Sequence, residues 1–275
     1  MSVSKSDIIQ SLKELGLRQG DIVLVHSSLK SFGYVEGGAD TVIDAFLEVV
    51  GETGTLVMPT LSIKNFDHVY EEWSLDRPSD VGLITETFRK RKGVLRSNQE
   101  THSVAAFGLK AEEITGSHKS YGPIYGIFGD YSFGYSSPWQ KMYDMNGKVV
   151  FLGVNMRKNT FKHFVEYRFV ENLLDNVTDV DKRAELKSRV RYHTAVNGKD
   201  VVCGSIWPIY EGADMKEVLD KNNMITKSTC GEALLQCIDI KETCDFTYNL
   251  LHKEYSSWYK GDVLQWIEEC KNNSR

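Results

Sequence analysis

Near the start of the chain, Ile8, Ile9, Leu12 and Leu15 recur at helical spacing between charged neighbours, which predicts an amphipathic helix. Residues 21–26 (DIVLVH) then predict a short buried strand. Gly37-Gly38-Ala39-Asp40 reads as a turn into a helix with Val42, Phe46 and Val49 on one face. Gly51 to Gly54 breaks that helix, and residues 55–58 predict a second buried strand running into Pro59-Thr60. Strand, helix, strand is the pattern of a mixed α/β layered fold. Residues 62 to about 80 are polar and aromatic without periodicity, which predicts a long loop of the kind that is usually functional. Further on, the pattern predicts a helix over 83–92 with a basic end, strands over 104–108 and 149–154, and an irregular Gly/Tyr/Ser-rich stretch over 121–138. Phe164, Tyr167, Val170 and Leu174 predict a helix over 160–174. Residues 190–210 look strand-like, and 212–275 read as helices alternating with loops. No repeat or low-complexity linker interrupts the chain. The expectation is an α/β, single-domain layered fold, residues 1–275, with a central mixed β-sheet flanked by helices.

Composition narrows the function classes without choosing one. With 275 residues, 41% hydrophobic and 26% charged, the chain can bury a substantial core. A net charge of -5 argues against nucleic acid or an anionic membrane as the main partner. No apolar run approaches the roughly 20 residues of a membrane helix, and the first residues do not read as a signal peptide. The five cysteines, Cys203, Cys230, Cys237, Cys244 and Cys270, are odd in number and form no CxxC pair. That fits reduced thiols in a cytoplasmic protein better than disulfides or zinc.

The chemistry centres on one of seven histidines (His26, His68, His102, His118, His163, His193, His252). In Asn159-Thr160-Phe161-Lys162-His163-Phe164-Val165-Glu166, His163 and Glu166 stand at i and i+3 on the expected helix. A carboxylate on one ring nitrogen leaves the other free to accept a proton, which is a general-base arrangement. HxxE also suits a metal site or a surface pair, but no second His/Asp cluster supports zinc. His26-Ser27-Ser28-Leu29 after a buried strand, and Gly37-Gly38 before a helix, could form an anion site from free backbone N–H groups or could simply cap and break turns. The P-loop, GxGxxG and GxSxG patterns are absent, which weighs against nucleotide hydrolases, dinucleotide dehydrogenases and α/β-hydrolases.

Several segments in order resemble one family. HSSLKSFGYVEGGADTVIDAFLEVVGETGTLVMPTLS is similar to the opening of the aminoglycoside (antibiotic) N-acetyltransferases. VGLITETFRKRKGVLRS and THSVAAFG resemble its centre, and FGYSSPWQKMYDMNGKVVFLGV with NTFKHFVEY its catalytic half. Together they cover roughly residues 5–170. The resemblance implies an acyltransferase that moves an acyl group directly from acyl-CoA to an amine, without a metal. It implies His163 as the base and Glu166 as its orienting partner. It places His26, Ser27, Ser28, Leu29, Gly38, Thr101, His102, Ser103 and Val104 on the CoA side, and Glu86 and the loop around Asp67 toward the acceptor. Ser28, Ser103 and backbone N–H groups are candidate donors to the developing oxyanion.

Two departures bear on the acceptor. Where the family usually has Arg-Ser, one residue, then His-Pro, this chain has Arg96-Ser97-Asn98-Gln99-Glu100. Two positions before the Asn-Thr of the catalytic motif, an often acidic residue is Arg157. Arg157, Lys158 and Lys162 surround the base with positive charge, as a solvated rim or as a clamp for an anionic acceptor. The expectation is therefore a nucleotide-linked amino sugar of polysaccharide biosynthesis as acceptor. An aminoglycoside, with antibiotic resistance as the outcome, is the alternative, and a metal-dependent hydrolase a distant one. Tyr121, Tyr125, Phe128, Tyr131, Phe133 and Trp139 either stack on a sugar or base, or pack the loop. The acyl group, acetyl or a longer or hydroxylated one, is left open, and a homodimer would fit.

Overall fold

The computed structural model describes residues 2–62, 64, 73–196 and 199–274, without the side chains of 194–196 and 199–200. In chain order the elements are β1 (Ser2–Val3), α1 (Lys5–Glu14), β2 (Ile22–Ser27), β3 (Tyr34–Val35), α2 (Gly38–Val50), β4 (Thr55–Pro59), α3 (Leu83–Arg89), β5 (Leu95–Arg96) and β6 (Val104–Gly108). There follow α4 (Ala111–Thr115), α5 (Pro138–Asp144), β7 (Lys148–Leu152), α6 (Phe161–Asp175), α7 (Val180–Ser188), β8 (Tyr192–Val196) and β9 (Lys199–Cys203). The last are α8 (Gly212–Lys221), β10 (Thr226–Cys230), β11 (Ala233–Asp239), α9 (Ile240–Trp258) and α10 (Gly261–Asn272).

A seven-stranded sheet in the order β10-β11-β7-β2-β4-β6-β5 forms the frame. Its three middle strands, β7, β2 and β4, are parallel, and antiparallel strands extend the sheet on both sides. Period-two alternation divides the apolar side chains of these strands between two cores. Val23, Val25, Leu56, Met58, Val150 and Leu152 join Ile8, Leu12, Val42, Phe46 and Phe88 from α1, α2 and α3. Leu24, Val57, Val149 and Phe151 instead join Phe164, Val170, Leu251 and Trp266 from α6, α9 and α10. Strands buried on both faces read as unbroken apolar runs, which is how DIVLVH and TLVM appear in the sequence. The result is the expected α/β layered fold with a mixed central sheet between helices.

The first helix begins at Lys5 because Ser4 and Asp7 form a reciprocal capping box. The helix expected over 83–92 is shorter, since Arg91 leaves it to bridge Asp40 and Asp44 of α2. The Gly/Tyr/Ser-rich stretch is irregular until Ser137 caps α5 with Pro138 in its first turn. The strand-like pattern over 190–210 becomes the separate β8–β9 hairpin.

The reading of 212–275 as helices and loops needs correction, because β10 and β11 form a hairpin that completes one edge of the main sheet. Polar Thr226, Lys227, Ser228 and Thr229 hide the edge strand from an apolar-pattern search, and residues 235–238 are buried on both faces with no alternation. The available signal was the turn at Gly231-Glu232 between paired Cys230 and Ala233. Gly231 has φ +57°, and a Cβ there would lie 2.4 Å from the Phe32 carbonyl oxygen. Gly231→Ala is therefore expected to destabilise the protein by about 2 kcal/mol or more. A denaturant titration checks this, and an unchanged midpoint would refute it.

Candidate active site

Parallel strands place their carboxyl ends on one side of a sheet, and ligands of open α/β sheets bind in the crevice outside those ends. Here Val25, His26 and Ser27 at the end of β2, Pro59 and Leu61 at the end of β4, and Val154 after β7 line one cleft of about 380 Å³. His102, Arg157, Lys158, Asn159, Lys162, His163 and Asp80 complete its wall. Six of the expected site residues thus meet in one place: His26, Ser27, His102, Arg157, Lys158 and His163.

His163 stands in the first turn of α6, and its Nδ1 lies 2.8 Å from Glu166 Oε2. A carboxylate only accepts, so the imidazole carries its proton on Nδ1 and offers the lone pair of Nε2. Glu166 is fully buried, and it also accepts from the Trp207 indole N–H and the Tyr210 backbone N–H, each at 3.3 Å. Phe128 lies against the His163 ring at 4.4 Å between centroids, and His102 meets that ring edge-on at 6.1 Å.

His102 is buried and wrapped by hydrogen bonds from its own turn. Its Nδ1 lies 2.8 Å from the Thr101 hydroxyl, which itself donates to the Phe128 carbonyl. Gln99 Oε1 takes the backbone N–H of Thr101 at 3.0 Å and that of His102 at 2.5 Å. Gln99 thus organises the segment that departs from the family pattern. Phe128 and Phe133 pack on His102 and His163, so these two of the six aromatics shape the wall around the imidazoles. Trp139 is buried behind them and donates to the His102 carbonyl at 3.2 Å.

Several expected positions sit elsewhere. Thr101, Ser103 and Val104 are buried behind His102 and do not line the cleft. The Ser103 hydroxyl is 3.0 Å from the Thr60 carbonyl and 3.2 Å from Arg96 Nε, so it is engaged away from any oxyanion. Ser28 and Leu29 start the 3-10 turn Leu29–Phe32 beside Ser27. The Ser28 N–H is spent on the Leu152 carbonyl at 2.9 Å. Gly38 opens α2 outside the cleft, and that helix carries Asp40 in its first turn, where Arg91 neutralises it. Glu86 does not line the cleft either. Burial pushes its carboxyl up, but Arg89, Lys90 and the Ser79 N–H outweigh this and hold it at about 2. It anchors the start of α3 instead. Asp67 lies outside the described residues, as does His68.

The positive residues follow from local structure. Asn155 caps the 3-10 turn Met156–Lys158, which presents Arg157 and Lys158, and Lys162 follows in the first turn of α6. Arg157 is paired with Glu211 at 3.3 Å, both side chains being more than half exposed. The cleft wall therefore favours an anionic ligand near these side chains. His26 stacks on Phe151 and its buried Nε2 meets no partner among the described residues, a position suited to a polar group of a bound molecule. A second cleft of about 320 Å³, between α6 and α9, is lined by Glu171, Asp175, Asp245 and three tyrosines but does not include His163. Among the described residues no group of three His, Cys, Asp or Glu could hold a metal ion, and no helix is long and apolar enough to cross a membrane. All five cysteines are free.

Burial keeps several imidazoles neutral. It pushes His26 and His118 to about 3, His252 to about 4 and His102 well below its usual value. The unfolded chain takes up these protons near pH 6.5 while the folded chain resists. Their contribution to stability is thus complete above pH 6.5 and is lost as pH falls toward the folded values, by up to about 1.4 kcal/mol per pH unit and imidazole. Denaturant midpoints are expected to hold from pH 7.5 to about pH 6.5 and to fall from there to pH 5; a flat profile would contradict neutral burial.

Residues 24–252 match the family described as aminoglycoside 3-N-acetyltransferase. The SPbeta prophage-derived aminoglycoside N(3')-acetyltransferase-like protein YokD of Bacillus subtilis is 37% identical over 186 residues, covering 60% of this chain and 65% of that protein. Aminoglycoside N(3)-acetyltransferase VII of Streptomyces paromomycinus is 29% identical over 182 residues, covering 60% of each. Both matches thus span less than two thirds of the relative's length. The crystal structure of YokD superposes with a TM-score of 0.71 at 26% identity, over 94% of this chain and 97% of that one. The complex of AAC-IIIb with CoASH shares the fold, with a TM-score of 0.70 at 22% identity over 95% and 100% of the two chains. The ordered motifs, the seven-stranded frame and a match over residues 24–252 converge: this chain belongs to the aminoglycoside 3-N-acetyltransferase family.

Proposed function

We propose that this chain transfers an acetyl group from acetyl-CoA to an amine of an aminoglycoside, with His163 as general base. The observation that carries the reading is the 2.8 Å contact between His163 and buried Glu166 on the wall of the cleft at the sheet's carboxyl edge. An ammonium has no lone pair, so it must lose a proton before attacking a thioester carbonyl. Nε2 of His163 takes that proton, and Glu166 steadies the imidazolium that results. The amine nitrogen bonds to the carbonyl carbon and gives up its second surplus proton to solvent, the C–S bond breaks, and the departing thiolate recovers the first proton from His163. Amide and free CoA thiol are the products.

The cations of the cleft fit the phosphates of CoA. Lys158 and Lys162 line it beside His26 and Ser27, and the relative AAC-IIIb is described in complex with CoASH. With the donor accounting for this charge, Arg157 and Lys158 no longer call for an anionic acceptor. The named relatives are an aminoglycoside N(3')-acetyltransferase-like protein and aminoglycoside N(3)-acetyltransferase VII, which favours the alternative acceptor over a nucleotide-linked sugar. Residues 73–80 then fall to the acceptor side, where Arg96 holds them through the carbonyls of Leu75 and Arg77 and stacks on Trp73.

The test follows thiol release from acetyl-CoA with aminoglycosides beside nucleotide-linked amino sugars. Release with aminoglycosides is expected, reduced about 10²- to 10⁴-fold in His163→Ala, in line with loss of a general base. Release with nucleotide sugars alone would overturn the acceptor, and an unimpaired His163→Ala would overturn the base. Lys158→Ala is expected to raise KM for acetyl-CoA several-fold, about the effect of one charge-assisted phosphate contact, and to leave KM for the acceptor unchanged. A rise confined to the acceptor would place this lysine on the other side.

A further inference from the structure

Glu166 can orient His163 only if it is itself held, and its own helix does not do that. Among the described residues, two outside donors come from one segment about forty residues downstream. Trp207 gives its indole N–H to Oε2, the same oxygen that meets His163, and Tyr210 gives its backbone N–H to Oε1. We propose that Trp207 is a positioning residue for the catalytic pair, fixing the Glu166 carboxylate so that Oε2 meets Nδ1 of His163. The inference rests on the reading of His163 as base.

The segment is built to hold that indole still. Ser205 and Ile206 donate to the Arg189 carbonyl at 2.9 and 3.0 Å, and Arg191 donates to the Ile206 carbonyl at 2.7 Å. This ties the segment to the end of α7. Pro208 disfavours the helical region for Trp207, and the Ile209 N–H donates to the Trp207 carbonyl at 2.9 Å, closing a tight turn after the indole. The Trp207 ring is buried and meets Tyr167 edge-on at 4.7 Å, and the Tyr167 hydroxyl is bonded to Ser132 at 2.9 Å. Gly126 allows this approach, since a Cβ there would lie 1.8 Å from the Tyr167 hydroxyl oxygen. The indole thus packs on α6, on a backbone tied to the end of α7 and against a tyrosine tied to the aromatic loop. An indole N–H donates and never accepts, so it marks the carboxylate oxygen without competing for the His163 proton.

Loss of this donor leaves Glu166 and His163 present but looser, and a carboxylate free to rotate no longer presents the base at a fixed angle. Trp207→Phe keeps most of the ring and removes the N–H. It is expected to lower kcat about 10-fold with KM for both substrates within about twofold. Combined with Glu166→Gln, the second substitution is expected to add little, because both act through one carboxylate. Equal losses in the two backgrounds, or a change in KM alone, would overturn the proposal while leaving the base reading intact. An unimpaired His163→Ala would instead overturn the base reading. Should Trp207→Phe not fold, the indole N–H resonance of Trp207 in the otherwise native protein supplies the readout. It is expected to move in Glu166→Gln while those of the other four tryptophans stay in place; no movement would refute the hydrogen bond.

Discussion

The carboxylate of Glu166 is the constraint around which the C-terminal half is arranged. A buried carboxylate without donors is too costly to keep, so each donor is a structural requirement before it is a functional one. The donors come from α6 itself and from the segment 207–210, whose preceding residues Ser205 and Ile206 are tied to the end of α7. Satisfying one buried group therefore welds distant parts of the chain together. It also leaves a single imidazole nitrogen facing the cleft.

The sheet supplies the other half of the arrangement. Because β2, β4 and β7 run parallel, the chain leaves all three at the same edge, and their loops converge there. One strand end carries His26 and Ser27, another Pro59, and the third leads into the turn that presents Arg157 and Lys158. Helix α6 follows that turn directly, so Arg157, Lys158 and the imidazole of His163 arrive on consecutive turns of chain. Short covalent distance does the positioning, and few long-range contacts are needed to align them.

The segment 96–103 shows how a departure from a family pattern can be absorbed. Gln99 takes two backbone N–H groups and shapes the turn that presents His102. Ser97 meets His118 at 2.9 Å, and Glu100 pairs with Lys119. Buried polar groups are thus partnered from several sides, and the imidazole at the cleft keeps its place. The departure does not touch the His163–Glu166 pair.

What the sequence determined by itself was local or repetitive. Apolar runs announced the central strands, the i, i+3 spacing of His163 and Glu166 announced the dyad, and ordered motifs announced the family. Each of these signals lies within a few residues or repeats along the chain. Only the tertiary structure decided which neighbours serve the site. Trp207 and Tyr210 carry no periodic or motif signal, because their role exists only across a forty-residue separation. Glu86 and Ser103 looked available in sequence and are consumed by Arg89 and Thr60 in space. The hairpin of β10 and β11 hid for the same reason: an edge strand is half solvated, so its polar side chains resemble a loop until the partner strand is seen.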